Sequence, residues 1–497
     1  METFKKLNQV NKDVWFLLIF ITAVFLYLFN INFSDLWIDE AFTKALMKLS
    51  LGDITRLIKN DYHPPLYFYG LKIFVSIFGI NDFTLRLFSV LGALATLVLG
   101  YLTGQRIFEK SGALYFCLLL LSLPMMVSFS HEARMYTWGA FSVTGVYFYS
   151  VLFIKTNKRK DLILLMLFSL LSAYTHYYAL LAAFGANIYV LLFLLVKQNK
   201  SWKIHFLYSI IAVLLFMPWL SAFLGQFRAV QKSFWVPELN WSIILACFTS
   251  PFAHKIWLPP SLTMIIIFYG LTIWVIYRNY IARNDRQGTI LTLAIVIFAV
   301  PFLTALIISL FSHSILYTRY IANIAVMLIV PPTLFFITFK NKWVKIILIT
   351  VILVFSLTLS YKASFFSYGP YRQSVEYLHE KYPGVKKVFH VIEISAGPFV
   401  EYNNFGIDNY WYKTDSTVVF TNMDVFTSLK VTGSIGKVLK NDEQFCAVSF
   451  PFLALNENNL RQILSESQVI KVDTVIDKKV EYGGSLLLYI CKYKGYN

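Results

Sequence analysis

Two adjacent carboxylates, Asp39 and Glu40, follow the first apolar stretch of the chain. Carboxylates near a membrane boundary are costly to desolvate and occur mainly where binding or chemistry uses them. A carboxylate held there can accept a proton from an incoming hydroxyl. The alternative is an acid at the start of a helix, where the helix dipole favours Asp and Glu. The sequence from Trp37 to Leu46 predicts an amphipathic helix that fits either role.

A histidine followed by two prolines, His63-Pro64-Pro65, is the second candidate. Because proline is stiff and is tolerated in a first helical turn, this segment predicts an extended entry into a short helix. That geometry would hold the imidazole in place. His63 could bind a phosphate oxygen, donate a hydrogen bond or ligate a metal, and the alternative is a turn with an incidental histidine.

Further candidates lie at the mouths of predicted apolar spans. An arginine there is expensive unless it is paired or bound to an anion, and its planar fork suits phosphate. An ion pair of Arg134 with Glu132 or Asp39 remains an alternative, and interfacial tyrosines are usual membrane-edge residues. The candidates for donor phosphate or substrate binding are His63, Arg134, Tyr136, His176, Tyr177, Arg319 and Tyr320.

A metal site has weak support from the sequence. Asp39, Glu40, His131 and Glu132 could supply ligands, but their spacing matches no fixed ligand pattern. A divalent metal therefore remains open, and no other cofactor is predicted. The chain has neither a G-x-x-x-x-G-K-[ST] phosphate loop nor a G-x-S-x-G nucleophile elbow.

The elements that must position these residues are membrane helices. Hydrophobic residues make up 57% and charged residues 14% of the chain, against roughly a quarter charged in soluble domains. The net charge of +17 comes largely from short basic gaps between apolar stretches. That is the pattern of cytoplasmic loops, so it requires no nucleic-acid partner.

Apolar stretches predict an α-helical polytopic protein with about 11 transmembrane helices. The predicted spans are 14–31, 83–105, 112–128, 135–154, 161–177, 179–197, 204–223, 261–278, 288–310, 318–338 and 344–361. The apolar segment from Leu66 to Ile80 is short for a span. All basic gaps share the cytoplasmic side only if this segment does not cross the membrane, so we predict an interfacial or re-entrant helix there. The N-terminus is then cytoplasmic, whereas the loop 32–82 and the tail are extracytoplasmic.

The composition changes after the last span, which predicts a transmembrane domain at 1–361 and an extracytoplasmic α/β domain at 362–497. In the tail we predict helices at Arg372–Tyr382 and Asn456–Ser465. Strands are predicted at Val385–Ile394, Thr417–Thr421, Phe445–Phe450, Val469–Ile476 and Ser485–Tyr493. The spacing of Cys446 and Cys491 leaves a disulfide between them open.

Fixed cations and histidines beside one carboxylate pair suit a reaction with an anionic leaving group. A sugar that leaves polyprenyl phosphate needs cations to stabilise the phosphate, and one carboxylate to activate the acceptor. A glycoside hydrolase would instead need an acid and a second carboxylate flanking the bond. The residues therefore favour sugar transfer with inversion at the sugar carbon. The alternative is a transporter or flippase of lipid-linked sugars, for which we would expect repeated halves and ionisable residues in mid-span.

Several motifs in order along residues 10–360 resemble the GT-C glycosyltransferases of the family that includes protein O-mannosyltransferases and lipid A aminoarabinose transferases. These motifs are Asp39-Glu40-Ala41, His63-Pro64-Pro65-Leu66-Tyr67, Phe78-Gly79, Leu85-Arg86-Leu87, His131-Glu132-Ala133-Arg134-Met135-Tyr136, Thr175-His176-Tyr177, Pro218-Trp219 and Arg319-Tyr320.

The resemblance implies a GT-C fold in a cell (inner) membrane and a lipid-phosphate sugar donor. It implies that Asp39 is the catalytic base, that Glu40 and His63 line the site, and that Arg134 or Arg319 meets the donor phosphate. The aminoarabinose transferases carry a Glu-Lys pair where this chain has Tyr62-His63. That difference argues against assuming lipid A as the acceptor.

Overall fold

The computed structural model of the chain describes residues 2–232, 234–253, 259–282, 285–414, 423–450, 457–476 and 485–494. The chain forms two compact units. The first unit contains Met1–Ile31, Ile58–Phe74 and Arg86–Ser364, and the second contains Asn32–Leu57, Val75–Leu85 and Phe365–Asn497.

Helices dominate the chain up to residue 363. In chain order they are α1 Glu2–Leu28, α2 Ile38–Met47, α3 Leu51–Lys59, α4 Leu66–Phe78, α5 Asp82–Leu121, α6 Pro124–Ser130, α7 Tyr136–Thr156, α8 Arg159–Thr175, α9 Tyr177–Val196, α10 Trp202–Lys232, α11 Trp241–Ala253, α12 Pro259–Ala282, α13 Asp285–Phe311, α14 Thr318–Ile321, α15 Val330–Thr338 and α16 Lys342–Ala363. A 3₁₀-helix at Ala325–Ile329 precedes α15.

Among the described residues, seven helices are long and apolar enough to cross a membrane. They are α5, α7, α9, α10, α12, α13 and α16, and they cover eight of the predicted spans. Helix α5 accounts for two of them, because its backbone leaves helical geometry at Glu109, where φ is +63°. A positive φ is rare outside glycine, and it interrupts the helix between the two apolar halves.

Two other predicted spans overlap helices that are shorter or less apolar. The span 14–31 runs past the end of α1 at Leu28, and the span 161–177 runs past the end of the 17-residue α8 at Thr175. The prediction of one continuous span at 318–338 is wrong. That segment breaks into α14, the 3₁₀-helix and α15. Its apolar composition reflects burial inside the protein, since Ile324, Val326 and Ile329 are fully buried or nearly so.

Close helix packing holds the first unit together. A Cβ on Gly145 of α7 would overlap the ring of Phe168 on α8, and a Cβ on Gly139 would overlap the side chain of Asn323. Small residues at such crossings let helix backbones approach in a bilayer, where the hydrophobic effect between helices is weak. Arg86 is buried and donates to the carbonyl of Ile31 at 2.8 Å.

The second unit contains α2 and a sheet built by the C-terminal part of the chain. The remaining elements are α17 Tyr371–Lys381, β1 Lys387–His390, α18 Glu393–Tyr402, β2 Asp408–Tyr412, β3 Leu429–Thr432, β4 Gln444–Ser449, α19 Glu457–Ser465, β5 Ser467–Ile476 and β6 Ser485–Tyr493, with 3₁₀-helices at Met423–Val425 and Ile435–Lys437. Within the described residues the strand order is β3-β2-β1-β4-β6-β5.

Strands β3, β2, β1 and β4 run parallel, and β6 pairs antiparallel with both β4 and β5. A parallel pair needs a crossover, which α18 supplies between β1 and β2. The predicted α/β tail is therefore present, although the predicted strand Val385–Ile394 already turns into α18 at Glu393. Strands β2 and β3 were missed, and the predicted strand Thr417–Thr421 lies outside the described residues.

The two cysteines of the sheet are free and buried. Cys446 pairs with Ile490 and Cys491 pairs with Phe445 in the β4–β6 register. Adjacent register positions point to opposite faces of a sheet. Accordingly, Cys446 and Cys491 belong to two different hydrophobic clusters.

Candidate active site

A buried cluster of three side chains forms around His63 in the first unit. The Asp61 carboxylate accepts a hydrogen bond from Nδ1 of His63 at 2.9 Å. Nη2 of Arg134 lies 3.2 Å from both ring nitrogens of His63. Asp61 is 8% exposed and Arg134 is 3% exposed, so both charged side chains are largely shielded from water. Buried charges require such partners.

Local sequence explains why these residues meet. Pro64 and Pro65 separate His63 from the start of α4, which gives the stiff entry that the sequence predicts. Arg134 lies in the turn between α6 and α7. Its guanidinium stands 5.9 Å from the centre of the Phe68 ring, and its carbonyl accepts from the hydroxyl of Ser89 at 3.2 Å.

The charge of Asp61 is fixed by its neighbours. Burial by itself would raise the pKa of the Asp61 carboxyl, but His63 and the Arg134 guanidinium outweigh burial and lower it below its usual value. Asp61 is therefore a carboxylate at neutral pH. Since a carboxylate only accepts hydrogen bonds, Nδ1 of His63 must carry a proton.

His176 occupies the one-residue turn between α8 and α9. Its Nδ1 accepts a hydrogen bond from the backbone N–H of Tyr178 at 3.1 Å, which caps the start of α9. Burial, together with the charges of His63 and Arg134, holds the pKa of His176 well below its usual range. The imidazole is therefore neutral, with its proton on Nε2.

Aromatic rings pack around this histidine. The ring centres of His63 and Tyr136 lie 5.9 Å from that of His176, and the centre of Tyr320 lies 5.3 Å from it. The structure thus brings together five of the predicted site residues. They are His63, Arg134, Tyr136, His176 and Tyr320.

Tyr177 joins the site through a polar chain that includes a residue missed from the sequence. Its hydroxyl donates to the side-chain oxygen of Gln226 and accepts from the indole N–H of Trp219 at 3.2 Å. Gln226 in turn donates to the carbonyl of Ile58 at 2.8 Å. A glutamine within the long apolar helix α10 was the available signal, because polar groups in such helices usually have a partner.

A cavity of about 170 Å³ opens beside these residues. Its polar lining includes His63, His176, Tyr177 and Gln226. The other walls are largely apolar and are formed by Leu180 and Leu181 of α9, Phe223, Phe227 and Val230 of α10, and Ile308 of α13. Such a cavity can hold a molecule with one polar or anionic end and an apolar chain.

Two predicted residues have other surroundings. Arg319 lies over the rings of Trp235 and Tyr317, with centroid distances of 4.7 and 5.3 Å. Nε2 of His131 lies 3.0 Å from the carbonyl of Tyr27. In the described part of the chain, no three His, Cys, Asp or Glu side chains converge where they could hold a metal ion. The weak metal candidates therefore gain no geometric support.

Asp39 and Glu40 belong to the second unit, in the first turn of α2. Asp39 is half-buried, whereas Glu40 is fully buried. The helix Ile38–Met47 agrees with the amphipathic helix predicted there. The role of Asp39 as a base stays a prediction.

The fold of the chain resembles that of another protein whose structure is known in two states. The chain superposes on ArnT from Cupriavidus metallidurans bound to undecaprenyl phosphate with a TM-score of 0.60, at 11% identity, covering 97% of this chain and 99% of that one. For the same protein in the apo state the TM-score is 0.54, at 12% identity, with 96% and 98% covered. This is the GT-C fold that the ordered motifs predict.

The amino-acid sequence also matches a known protein family over part of its length. Residues 62–221 match the family model for dolichyl-phosphate-mannose-protein mannosyltransferase. This match covers residues 62–221 only, whereas the fold match covers nearly the whole chain, and both agree with the resemblance inferred from the motifs.

Two uncharacterized proteins of Aquifex aeolicus (strain VF5) are similar to the chain. One is 30% identical over 118 residues, which is 22% of this chain and 24% of that protein. The other is 26% identical over 312 residues, or 52% of this chain and 74% of that protein. The chain therefore spans about a quarter of the first relative and three quarters of the second.

Proposed function

We propose that this chain transfers a glycosyl group from a polyprenyl-phosphate carrier to an extracytoplasmic acceptor, with inversion at the sugar carbon. The observation that carries the proposal is the cavity with the imidazoles of His63 and His176 on one wall and apolar side chains on the others. A polyprenyl phosphate matches these walls, because it has an anionic head and a long hydrocarbon chain. ArnT, which shares the fold, binds undecaprenyl phosphate.

The phosphate end of the donor would lie at His63 and Arg134. Arg134 supplies a permanent positive charge, and neutral His176 supplies a hydrogen-bond donor at Nε2. Preorganised donors of this kind stabilise charge that develops in the transition state. As the bond between the sugar carbon and the phosphate oxygen breaks, its electron pair leaves on polyprenyl phosphate.

The acceptor hydroxyl would attack the opposite face of the sugar carbon and lose its proton to a base. We assign that role to Asp39, on the strength of its place in the first turn of α2 and of the motif it shares with GT-C enzymes. A lipid donor needs no nucleotide, which suits a site outside the cytoplasm. We place the site and the C-terminal domain on the extracytoplasmic side of a cell (inner) membrane, from the distribution of basic residues.

The transferase is favoured over a transporter of lipid-linked sugars. The family match is with a mannosyltransferase family, and the fold match is with a protein bound to undecaprenyl phosphate. The charged cluster of Asp61 and Arg134 lies in turns between helices rather than in mid-span. The sugar and the acceptor are left open by these residues.

The test is turnover of a labelled polyprenyl-phosphate sugar by the full-length protein in nanodiscs, with release of polyprenyl phosphate followed by mass spectrometry. We expect Asp39→Asn to reduce transfer by roughly 100-fold to 10,000-fold, the usual contribution of general base catalysis. The matched control is Asp53→Asn, which removes an exposed carboxylate on α3 and should transfer normally. Normal turnover by Asp39→Asn would refute the base assignment. Failure of the unmodified protein to release polyprenyl phosphate would refute the function.

A further inference from the structure

A second cavity, of about 520 Å³, lies entirely within the second unit. It falls in the ~300–1,000 Å³ range of small-molecule sites. Its walls come from α2, from the segment before and at the start of α5, from α17, and from the end of α18 with the residues after it. Residues of the candidate active site in the first unit take no part in it.

An ion-paired network holds one wall of this cavity in place. The Asp82 carboxylate accepts from Lys44 at 2.8 Å, from Arg372 at 3.0 Å and from the Tyr402 hydroxyl at 3.0 Å. The Tyr402 oxygen also accepts from the backbone N–H of Leu36 at 2.8 Å. Side chains locked in this way form a preorganised binding surface, because little rotamer entropy is lost when a ligand arrives.

The charges that line the cavity nearly balance. Lys44 and Arg372 are positive, and Asp82, Glu376 and Glu401 are negative. Lys48, just outside the lining, neutralises Glu401 at 2.8 Å. A site for phosphate or another anion would carry an excess of positive charge. The balance instead suits a neutral ligand with many hydroxyl groups.

The remaining lining supplies what such a ligand needs. Asn32, Asn81 and Asn404 contribute amide groups that both donate and accept. Phe405 is 38% exposed, and the ring of His379 stacks on it with 4.0 Å between centroids. An exposed ring held by a second ring offers a flat apolar face, against which the C–H face of a sugar can pack.

We propose that this cavity binds a saccharide unit of the acceptor. The inference rests on the proposed function, since it names the acceptor class of the same enzyme. Helix α2 carries both Lys44 in the cavity wall and Asp39, the predicted base. They are five positions apart, which is a rise of ~7.5 Å along the helix. A saccharide in this cavity would therefore be held on the same rigid element as the base.

Saturation-transfer NMR on the purified full-length protein tests the proposal, with mannose, glucose, N-acetylglucosamine and the disaccharide chitobiose as probes and inorganic phosphate as the competing anion. We expect at least one saccharide to bind, and Glu376→Gln and Phe405→Ala each to raise its Kd tenfold or more. The control is Glu380→Gln, which removes the same charge from an exposed position of α17 and should leave the Kd unchanged. Thermal unfolding of each variant verifies that it folds.

Binding of phosphate without any saccharide, or saccharide binding that both cavity variants leave unchanged, would overturn the proposal. So would the absence of binding by all four saccharides. Asp39→Asn separates this inference from the proposed function, because it should reduce transfer by roughly 100-fold or more while leaving the saccharide Kd unchanged. If the unmodified protein binds saccharide but transfers no sugar, the proposed function fails and the saccharide site stands.

Discussion

The Asp61 carboxylate accepts a 2.9 Å hydrogen bond from Nδ1 of His63, and this bond fixes how the imidazole faces the cavity. It keeps a proton on Nδ1 and leaves Nε2 as the other polar atom of the ring. Arg134, 3.2 Å from the same ring, balances the buried negative charge. In the proposed reaction Asp61 would therefore be a positioning residue, which acts through His63.

Substitution of Asp61 should lower catalysis in a graded way. A hydrogen bond to a charged group contributes ~1.5–3 kcal/mol and a neutral one ~1 kcal/mol. Asp61→Asn keeps an acceptor, so we expect a loss of about tenfold in kcat/KM. Asp61→Ala removes the acceptor, and there we expect about 100-fold, at 1.4 kcal/mol for each factor of ten. Initial rates with a labelled lipid-phosphate sugar measure both.

The matched controls are Asp53→Asn and Asp53→Ala, which make the same two substitutions at an exposed carboxylate on α3. Equal losses in the two Asp61 variants would mean that Asp61 acts by its charge alone. An Asp61→Ala variant with unchanged kcat/KM would show that His63 needs no positioning.

Acid should destabilise the protein through His176. Its folded pKa lies well below the ordinary value of about 6.5. Below about pH 6.5 the unfolded chain therefore binds more protons than the folded one, so stability falls as the pH is lowered, by up to about 1.4 kcal/mol per pH unit. Protonation would also remove the Nδ1 lone pair that caps α9.

Asparagine caps helices well but does not titrate, so His176→Asn should reduce this pH dependence while keeping the cap. Part of the dependence should remain, because burial also lowers the pKa of His390, to about 4. Thermal unfolding in detergent between pH 7.5 and 5 measures the effect. His379→Asn is the control, since His379 is exposed on α17. An acid-induced loss of stability equal to that of the unmodified protein would exclude His176 as its source.

Hydropathy predicted the long helices because membrane spans require long uninterrupted apolar runs. It failed at 318–338, where equally apolar residues are buried in short helices. Composition alone does not distinguish a lipid-facing helix from a protein-facing one. In the tail, β2 was missed because Asp408–Tyr412 is short and begins with Asp and Asn, which are disfavoured in strands.

At the site, the sequence identified polar side chains that are expensive to desolvate at the edge of a membrane, such as Arg134 and His176. It did not predict their partners. Asp61 lies two residues before His63, yet nothing in that spacing shows that their side chains meet. Gln226 reaches the site from α10, more than 150 residues further on. Contacts of this kind depend on helix packing, which one sequence leaves undetermined.

Two glycines test the packing of the first unit in opposite directions. Gly145→Ala would place a Cβ against the ring of Phe168, so we expect a loss of ~1–3 kcal/mol. Gly225 of α10 has open space around the position of a Cβ. There Ala should be neutral or stabilising by up to about 1 kcal/mol, because it favours helix more than Gly does. Thermal unfolding measures both, and equal shifts would contradict the packing described here.

The apolar part of the active-site cavity makes a sharper test of the lipid donor. Ile308 of α13 lines that cavity, whereas its neighbour Ile307 is 55% exposed on the outer face of the unit. Ile308→Trp would fill part of the cavity of about 170 Å³, whereas Ile307→Trp adds the same atoms to an exposed surface. We expect Ile308→Trp to raise the Kd for undecaprenyl phosphate by tenfold or more and Ile307→Trp to leave it unchanged.

The affinity for a short-chain prenyl phosphate should fall less in Ile308→Trp, because fewer isoprene units compete with the indole. Equal Kd values for the two variants would show that the lipid chain lies elsewhere, and both Kd values follow from titration of the purified protein.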